Sequence, residues 1–396
     1  MSKEKVLIVG GGFGGVKAAL ELADDDRFTV TLVSDHPHFR YYPTLYHTAT
    51  GGRRAGSSIP LDQLFAGKNV EILAGEAVSL SRESKTLTTA DGLTLPYDTL
   101  ILGLGVVTNY FNIKGLDQYS FSIKTTNEAL RLKQHLHEQL MADHKPDLNY
   151  VIVGAGPTGI ELAGVLPEYL RAIMKQHGVK YRSIHVDLIE AAPRLLPNLP
   201  RDTSRMVQRQ LKRLGVQLYI GQTVQGETAD ELMVSGKPIR SHTVIWTAGV
   251  TNNPFFVQNN FGVNRRGKVA VDVYMQAEPD IFVIGDNANT PYSGLAQTAI
   301  HDGIFVAKNL KRRQSGKNLR SYNARKPITV IPAGRHWAAT LWGQFRIYGW
   351  LGWMLREAAD LVGFHDFEPW RKAFDQWFIE LGEEETCPVC AKSVVR

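Results

Sequence analysis

The chain has 396 residues, of which 43% are hydrophobic and 21% charged, an ordinary globular balance that allows two or three domains and excludes a disordered or collagenous protein. The formal charge of +6 is mild; it suits an anionic surface and decides no partner by itself. The two cysteines, Cys387 and Cys390, lie in the last ten residues, so no disulfide framework builds the fold.

The first element is an apolar run at 6–9, read as a buried parallel strand. It leads into Gly10-Gly11-Gly12-Phe13-Gly14-Gly15 and then a helical pattern at 16–23. This order predicts a strand, a tight turn and a helix N-terminus that receives a pyrophosphate. Gly10 allows the turn, Gly12 lets a phosphate approach, and Gly15 lets helix and strand pack closely. A second strand at 28–33 runs into Ser34-Asp35. Asp35 is the candidate for the ribose hydroxyls, one position late; a solvated turn residue is the alternative. The strand at 100–102 ends in Gly103-Leu104-Gly105, where backbone can pass close to a cofactor.

The same fingerprint returns as Gly154-Ala155-Gly156-Pro157-Thr158-Gly159 after 151–153, followed by a helix over 160–170. One such motif is a weak signal; two in one chain predict two dinucleotides held at once. The next strand, 184–189, ends at Glu190, which accepts from a ribose 2′-OH and repels a 2′-phosphate. That favours NADH over NADPH, with Arg194 just beyond pulling slightly the other way. The strand at 243–246 leads into Thr247-Ala248-Gly249, a further close-approach turn.

Six of the seven tryptophans fall between 337 and 377. Apolar residues Trp350, Leu351, Met354, Leu355, Ala358, Leu361 and Val362 predict one amphipathic helix, with Arg356, Glu357 and Asp360 opposite. A second is predicted to begin near Pro369, with Trp370, Ala373, Phe374, Trp377, Phe378 and Leu381. Such faces suit a membrane interface or pack on the protein's own core or a second subunit; the pattern alone weighs these evenly. The basic cluster Lys311-Arg312-Arg313 with Lys317, Arg320, Arg325 and Lys326 adds attraction to anionic lipid. Cys387 and Cys390 have metal-ligand spacing but only two of the four ligands a zinc site takes; no metal is expected, and a shared ion, a redox dithiol and a plain tail stay open. No apolar run reaches the ~18 residues of a spanning helix. No signal peptide precedes the first strand, so a location on the cytoplasmic side is expected.

Several pieces carry a resemblance: Pro43-Thr44-Leu45-Tyr46-His47-Thr48-Ala49-Thr50-Gly51, the second fingerprint continued by Ile160-Glu161-Leu162-Ala163, Trp246-Thr247-Ala248-Gly249-Val250, Gly285-Asp286 and Ala296-Gln297-Thr298-Ala299. Over roughly residues 5–380 the chain resembles the type II NADH dehydrogenases, single-chain NADH:quinone reductases. The resemblance implies FAD in the first site, with Asp286 at the ribityl chain, and NADH in the second. It implies cofactor contacts also at Thr50, Gly103, Gly285, Ala296 and Gln297, and a quinone arriving near Gln297. Glu161 matches a glutamate near the nicotinamide and flavin; by helix geometry alone it is a carboxylate favoured by the helix dipole. Asp286 by itself is also consistent with a helix N-cap. Two departures stand out: the family usually has Gln where this chain has His47 and His301. A histidine there can hand a proton to a reduced quinone, or simply replace a hydrogen-bond donor.

The expected architecture is α/β, with two Rossmann-like dinucleotide-binding domains, the second inserted in the first, and a C-terminal amphipathic helical segment. The boundaries are read as 1–115 and 265–330 for the FAD domain, 116–264 for the NAD domain, and 331–396 for a membrane-associating or dimerising segment. The expected activity is hydride transfer from NADH to flavin, then two electrons to a membrane quinone, without proton pumping, in a peripheral homodimer that does not bind nucleic acid. The alternatives are a soluble NAD(P)H reductase with another acceptor and a slowly turning redox sensor. The lack of cysteine before 387 removes sulfur chemistry at the flavin.

Overall fold

A computed structural model describes residues 3–141, 149–179 and 183–383. The Cys387 and Cys390 pair lies outside the described residues. The first sheet opens with β1 (Glu4–Val9), whose last four residues are buried on both faces, as a central parallel strand requires. Helix α1 (Phe13–Leu22) follows, then β2 (Phe28–Ser34), a short α2 (Leu45–Ala49), β3 (Val70–Ala74) and β4 (Thr99–Leu102). An antiparallel meander at 77–96 connects β3 to β4. Helix α3 (Thr126–Met141) then leads to the second sheet.

That sheet begins with β5 (Asn149–Val153) and α4 (Pro157–Gln176), then β6 (His185–Glu190), α5 (Arg201–Arg213), β7 (Val216–Ile220) and β8 (Thr243–Trp246). Its order is β7-β6-β5-β8, all parallel. The chain then returns to the first sheet with β9 (Gln276–Glu278) and β10 (Ile281–Val283) and continues into α6 (Ala296–Gln314). The first sheet therefore reads β9-β10-β4-β1-β2-β3, parallel except for the β9–β10 pair. Strands far apart in sequence share one sheet while a complete second sheet sits between them, so the second nucleotide fold is inserted in the first, as expected. The two crossing segments pair with each other, Val106–Thr108 antiparallel to Val250–Asn252. Helices α1 and α6 cross backbone to backbone, because a Cβ on Gly303 would lie 2.4 Å from the Gly14 carbonyl oxygen.

The C-terminal segment differs from the helices-only expectation. It opens with an antiparallel sheet of β11 (Thr329–Pro332), β12 (Ala338–Trp342) and β13 (Phe345–Gly349). The tryptophan pattern drew the sequence reading past these short runs. The sheet seats on α4 where Gly164 leaves room: a Cβ there would meet Gly334 N at 2.4 Å. Helices α7 (Trp350–His365) and α8 (Trp370–Leu381) then form close to where periodicity placed them. No helix among the described residues is long and apolar enough to cross a membrane.

Candidate functional site: two dinucleotide cradles and a polar seam

The two fingerprints fold alike. Gly10 and Gly154 sit at φ +114° and +105°, and their amides donate to Val33 O and Ile189 O at 2.8 Å. A Cβ on Gly10 would strike Gly103 O at 2.1 Å; on Gly154 it would strike Ala248 Cα at 2.6 Å. Gly15 and Gly159 press onto the carbonyls of Gly10 and Gly154. Gly12 and Gly156 contrast with these: a Cβ at either would meet nothing within 4 Å. They are also the N-caps of α1 and α4, and neither helix start is capped by a side chain. Open space and uncapped N–H groups at a helix N-terminus are what a pyrophosphate takes. The residues present therefore fit two dinucleotides.

The ribose positions differ between the copies. Glu190 ends β6, and its carboxylate accepts from Ala155 N and Ala192 N, both at 2.7 Å. It is thereby held beside the second glycine turn. Arg194 donates to the carbonyls of Leu196 (3.1 Å), Leu199 (2.8 Å) and Pro197, so its guanidinium is committed to its own loop. In the first copy the residue in register with Glu190 is Ser34, whose Oγ donates to His36 O at 2.7 Å. Asp35 projects more openly and lies 3.3 Å from both Arg40 and His36.

A second wall faces the first cradle. Gly285 N donates to Asp302 Oδ2 at 3.0 Å, and Tyr322 Oη donates to Asp302 Oδ1 at 2.6 Å. Burial pushes the Asp302 carboxyl up to about 6. Asn287 exchanges hydrogen bonds with Gly105 N and O at 2.9 and 2.6 Å, tying the Gly103-Leu104-Gly105 turn to the Gly285 turn. Asp286 accepts no hydrogen bond from a described residue. Its charge bears on Tyr42 and on Lys124, a cation lowered by burial whose Nζ is 6.0 Å from the Tyr42 ring centroid. Neither Lys124 nor Asn287 carries a sequence motif, so pattern reading missed both. Thr158 is exposed at the start of α4. Gly249 lies under Phe111, where a Cβ would meet the ring at 2.4 Å.

On α6, Ala296 is the first helical residue, and Gln297 exchanges two hydrogen bonds with the backbone of Ile328 at 3.1 and 3.2 Å. His301 Nε2 lies 3.0 Å from Asn323 O, so that nitrogen carries the proton and donates it. Burial holds the His301 imidazole below its usual range, with Arg325 and Lys308 adding to the effect. The structure thus pins Gln297 and His301 to the 323–328 segment.

His47 belongs to a different group. The loop around α2 meets the C-terminal helices in a buried polar seam. Arg356 and Asp360 form an ion pair at 2.7 Å, with Arg356 Nη2 donating to Pro43 O at 2.8 Å and Tyr41 Oη to Asp360 at 3.3 Å. Burial pushes Asp360 up to about 7. Glu161, on α4, is pushed up to about 8 by burial, against the pull of Arg356. His47 pairs with Glu380 at 3.2 Å, and Thr50 Oγ1 donates to Tyr46 O at 2.9 Å. The charged stripe of α7 therefore faces inward. Its apolar stripe faces out: Trp350 is 58% exposed and Leu351 60%, with Met354 and Val362 beside them. On α8, Trp370, Phe374, Phe378 and Leu381 do the same. The inner sides join the core, with Leu361, Ala373 and Trp377 packed on it, Phe364 stacked on Tyr41 (4.3 Å between centroids) and Phe367, in the link between the helices, tilted against Phe39 (4.5 Å), next to Phe13.

Residues 4–303 match the family described as pyridine nucleotide-disulphide oxidoreductase. The chain belongs to that family. The finer resemblance read from the motifs is borne out by relatives. A type II NADH:quinone oxidoreductase of Mycobacterium tuberculosis, NdhA, is 29% identical over 404 residues, covering 92% of this chain and 85% of the relative. One from Staphylococcus aureus is 26% identical, covering 84% and 88%. Among solved structures, NDH2 of Plasmodium falciparum in complex with NADH superposes with a TM-score of 0.86 at 17% identity, covering 96% of this chain and 97% of that one. The sulfide:quinone oxidoreductase of Aquifex aeolicus follows at 0.78 and 20% identity. These two likenesses establish the shared fold. Within the family this member has no cysteine before residue 387, so no described residue supplies the disulphide of the family's description.

Proposed function

We propose that this protein is an FAD-dependent NADH:quinone oxidoreductase that pumps no protons. The observation that carries the reading is the pairing of two open glycine cradles, one on each of two interlocked parallel sheets, with an outward apolar face on the helices that close the first. FAD fits the Gly10–Gly15 cradle, walled by Gly103, Gly285 and Asp286, with Asp35 one residue past the ribose register. NADH fits the second, with Gly156 and Thr158 at the pyrophosphate, Glu190 at the adenine ribose and Gly249 where the nicotinamide needs close approach. The commitment of Arg194 to its own carbonyls supports NADH over NADPH. When bound, the flavin supplies the two-electron chemistry, and the chain supplies orientation and access.

The remaining groups handle position and protons. Glu161, raised to about 8, stays protonated at neutral pH and sits beside Arg356 and Tyr46. Gln297 and His301 hold the 323–328 strap against α6, on the side where the quinone is read to arrive. The exposed Trp, Leu, Met and Phe side chains of α7 and α8 suit a peripheral seat in the bilayer interface, which also gives a lipid-soluble quinone its entry. Of the basic cluster, Arg313 is spent on Glu4 and Asp280, leaving its neighbours for anionic headgroups. The boundaries read as 1–115 with 265–330 and 116–264 agree with the two parallel sheets, whereas the C-terminal sheet opens at Thr329, two residues before the boundary read at 331. The test is NADH oxidation by the flavin-loaded protein on liposomes with ubiquinone, menaquinone or no acceptor. Faster reoxidation with a quinone supports the reading; fast flavin reduction that no quinone relieves refutes it.

A further inference from the structure

The first cradle is ringed by carboxylates, and its cofactor brings more negative charge. Asp35, Asp286 and Asp302 stand around it, and a dinucleotide adds a diphosphate. Three of the cations nearby are already committed. Arg40 lies 3.3 Å from Asp35. Lys17 Nζ donates to Asp366 O at 2.7 Å, and Lys268 Nζ donates to Ser293 Oγ at 2.6 Å. Lys124 differs. Its ammonium makes no hydrogen bond and no ion pair among the described residues, and the Tyr42 ring it faces has its centroid 6.0 Å away. A cation–π contact at that distance is weak.

The backbone of Lys124 is fixed by a capping box at the start of α3. Thr125 Oγ1 accepts from Glu128 N at 3.1 Å, and Glu128 Oε2 accepts from Thr125 N at 3.0 Å and from Lys124 N at 2.7 Å. Helix α3 buries Ala129, Leu132, Leu136 and Leu140 in the core of the second fold. Lys124 is thus anchored on the second fold while its side chain faces the first. The position works against its charge. The positive end of the α3 dipole lies beside it, and burial disfavours the ammonium. The Glu128 carboxylate is taken up by two amides. The other anion that bears on Lys124 is Asp286, which also accepts no hydrogen bond from a described residue. Tyr42 connects this pair to the phosphate end of the cradle. It is 40% exposed and lies 6.2 Å, centroid to centroid, from Phe13, the residue directly after Gly12. The lone ammonium and the open N-cap of α1 therefore border one space.

Resting on the reading of the first cradle as the FAD site, we propose that the Lys124 ammonium pairs with the FAD diphosphate, so that the cofactor clamps the second fold onto the first. The fingerprint itself holds no cation: Gly12 and α1 offer N–H groups and a partial dipole charge. Lys124 adds a full charge from the other fold, where a desolvated ion pair is screened least. The diphosphate carries the same charge whether the flavin is oxidised or reduced. Loss of the ammonium therefore weakens both forms alike. A cation placed against the flavin ring would instead favour the reduced, anionic form, and this difference separates the two positions experimentally.

The test uses the full chain loaded with FAD. Serial dilution of the holoprotein, followed by the recovery of free FAD fluorescence, gives the dissociation constant, and a redox titration gives the midpoint potential. Lys124→Met is expected to raise the FAD dissociation constant about ten- to hundredfold, the contribution of one charge-assisted hydrogen bond. Lys124→Arg keeps the charge and can grip a phosphate, so it should stay within about threefold of wild type. The midpoint potential of Lys124→Met should stay within about 30 mV of wild type, since a tenfold bias between oxidised and reduced flavin corresponds to about 30 mV for two electrons. An unchanged dissociation constant in Lys124→Met overturns the proposal. An equal loss in Lys124→Arg does so too, and assigns the residue to packing. A larger fall in potential moves the ammonium to the flavin ring and likewise overturns it. Thermal melts of the flavin-free proteins report folding; if Lys124→Met does not fold, Lys124→Gln takes its place. If the wild-type chain neither retains flavin nor binds added FAD, the cofactor reading itself falls, and the clamp with it.

Discussion

Replacing Phe378 by Ser tests whether the outward face of α8 is a membrane seat. Phe378 is 64% exposed, so the substitution leaves the core intact. A phenylalanine side chain carries on the order of 200 Å² of surface, so roughly 130 Å² is available to enter a lipid interface. At about 25 cal/mol per Å² its full burial is worth about 3 kcal/mol. At about 1.4 kcal/mol per tenfold, that is on the order of a hundredfold in partitioning. The serine variant should therefore need on the order of a hundredfold more lipid for half-maximal co-sedimentation with anionic liposomes, with an unchanged melting temperature and flavin content. A folded variant that binds within twofold of wild type would refute the reasoning and turn this face toward a protein partner.

Three further outcomes follow from the cradles and the seam. Glu190→Ala removes a carboxylate that two amides hold in place, and should raise the NADPH-to-NADH ratio of kcat/KM by about tenfold or more; an unchanged ratio takes Glu190 out of the ribose site. Gly10→Ala and Gly12→Ala should separate fold from binding. The first drives a Cβ into Gly103 O from a positive φ and should yield little folded protein, whereas the second has open space and should fold but hold FAD poorly. Wild-type flavin loading in a folded Gly12→Ala variant would contradict the assignment of Gly12 to the phosphate. The last concerns pH. The Glu161 carboxyl rises from 4.5 to about 8 on folding, so the folded state binds its proton more tightly than the unfolded state does. Its stability contribution is complete below about 4.5 and is lost as pH rises through about 8. Glu161→Gln should therefore flatten the fall of melting temperature between pH 5 and 9, read by calorimetry; an equally steep fall in the variant assigns it to other groups.

Most of the chemistry was legible locally because it is carried by backbone constraints. A glycine that must adopt positive φ, or must touch a carbonyl, leaves its mark at one position, and Gly10, Gly15, Gly154 and Gly159 all do so. Glu190 was readable because strand β6 ends where the apolar run ends. Its counterpart was harder. Asp35 drew notice as the first acid after β2, but pairing register puts Ser34 in the equivalent place, and register depends on the neighbouring strand. The antiparallel strands of 329–349 escaped because each is short and their apolar residues blend into the tryptophan-rich run.

The sequence by itself determined that two nucleotide folds exist, that one interrupts the other, that neither contains a cysteine and that two amphipathic helices follow. These follow from periodicity, steric demand and composition, which act over a few residues. Only the tertiary structure decided which face of those helices points inward. Periodicity defines two stripes but not their direction, and here the charged stripe of α7 turns toward Glu161 while the apolar stripes face out. It also decided that His301 is spent on Asn323 while His47 meets Glu380. His301 and Asn323 are only 22 residues apart, but His47 and Glu380 lie near opposite ends of the chain, and their meeting depends on how the C-terminal segment docks across the first sheet.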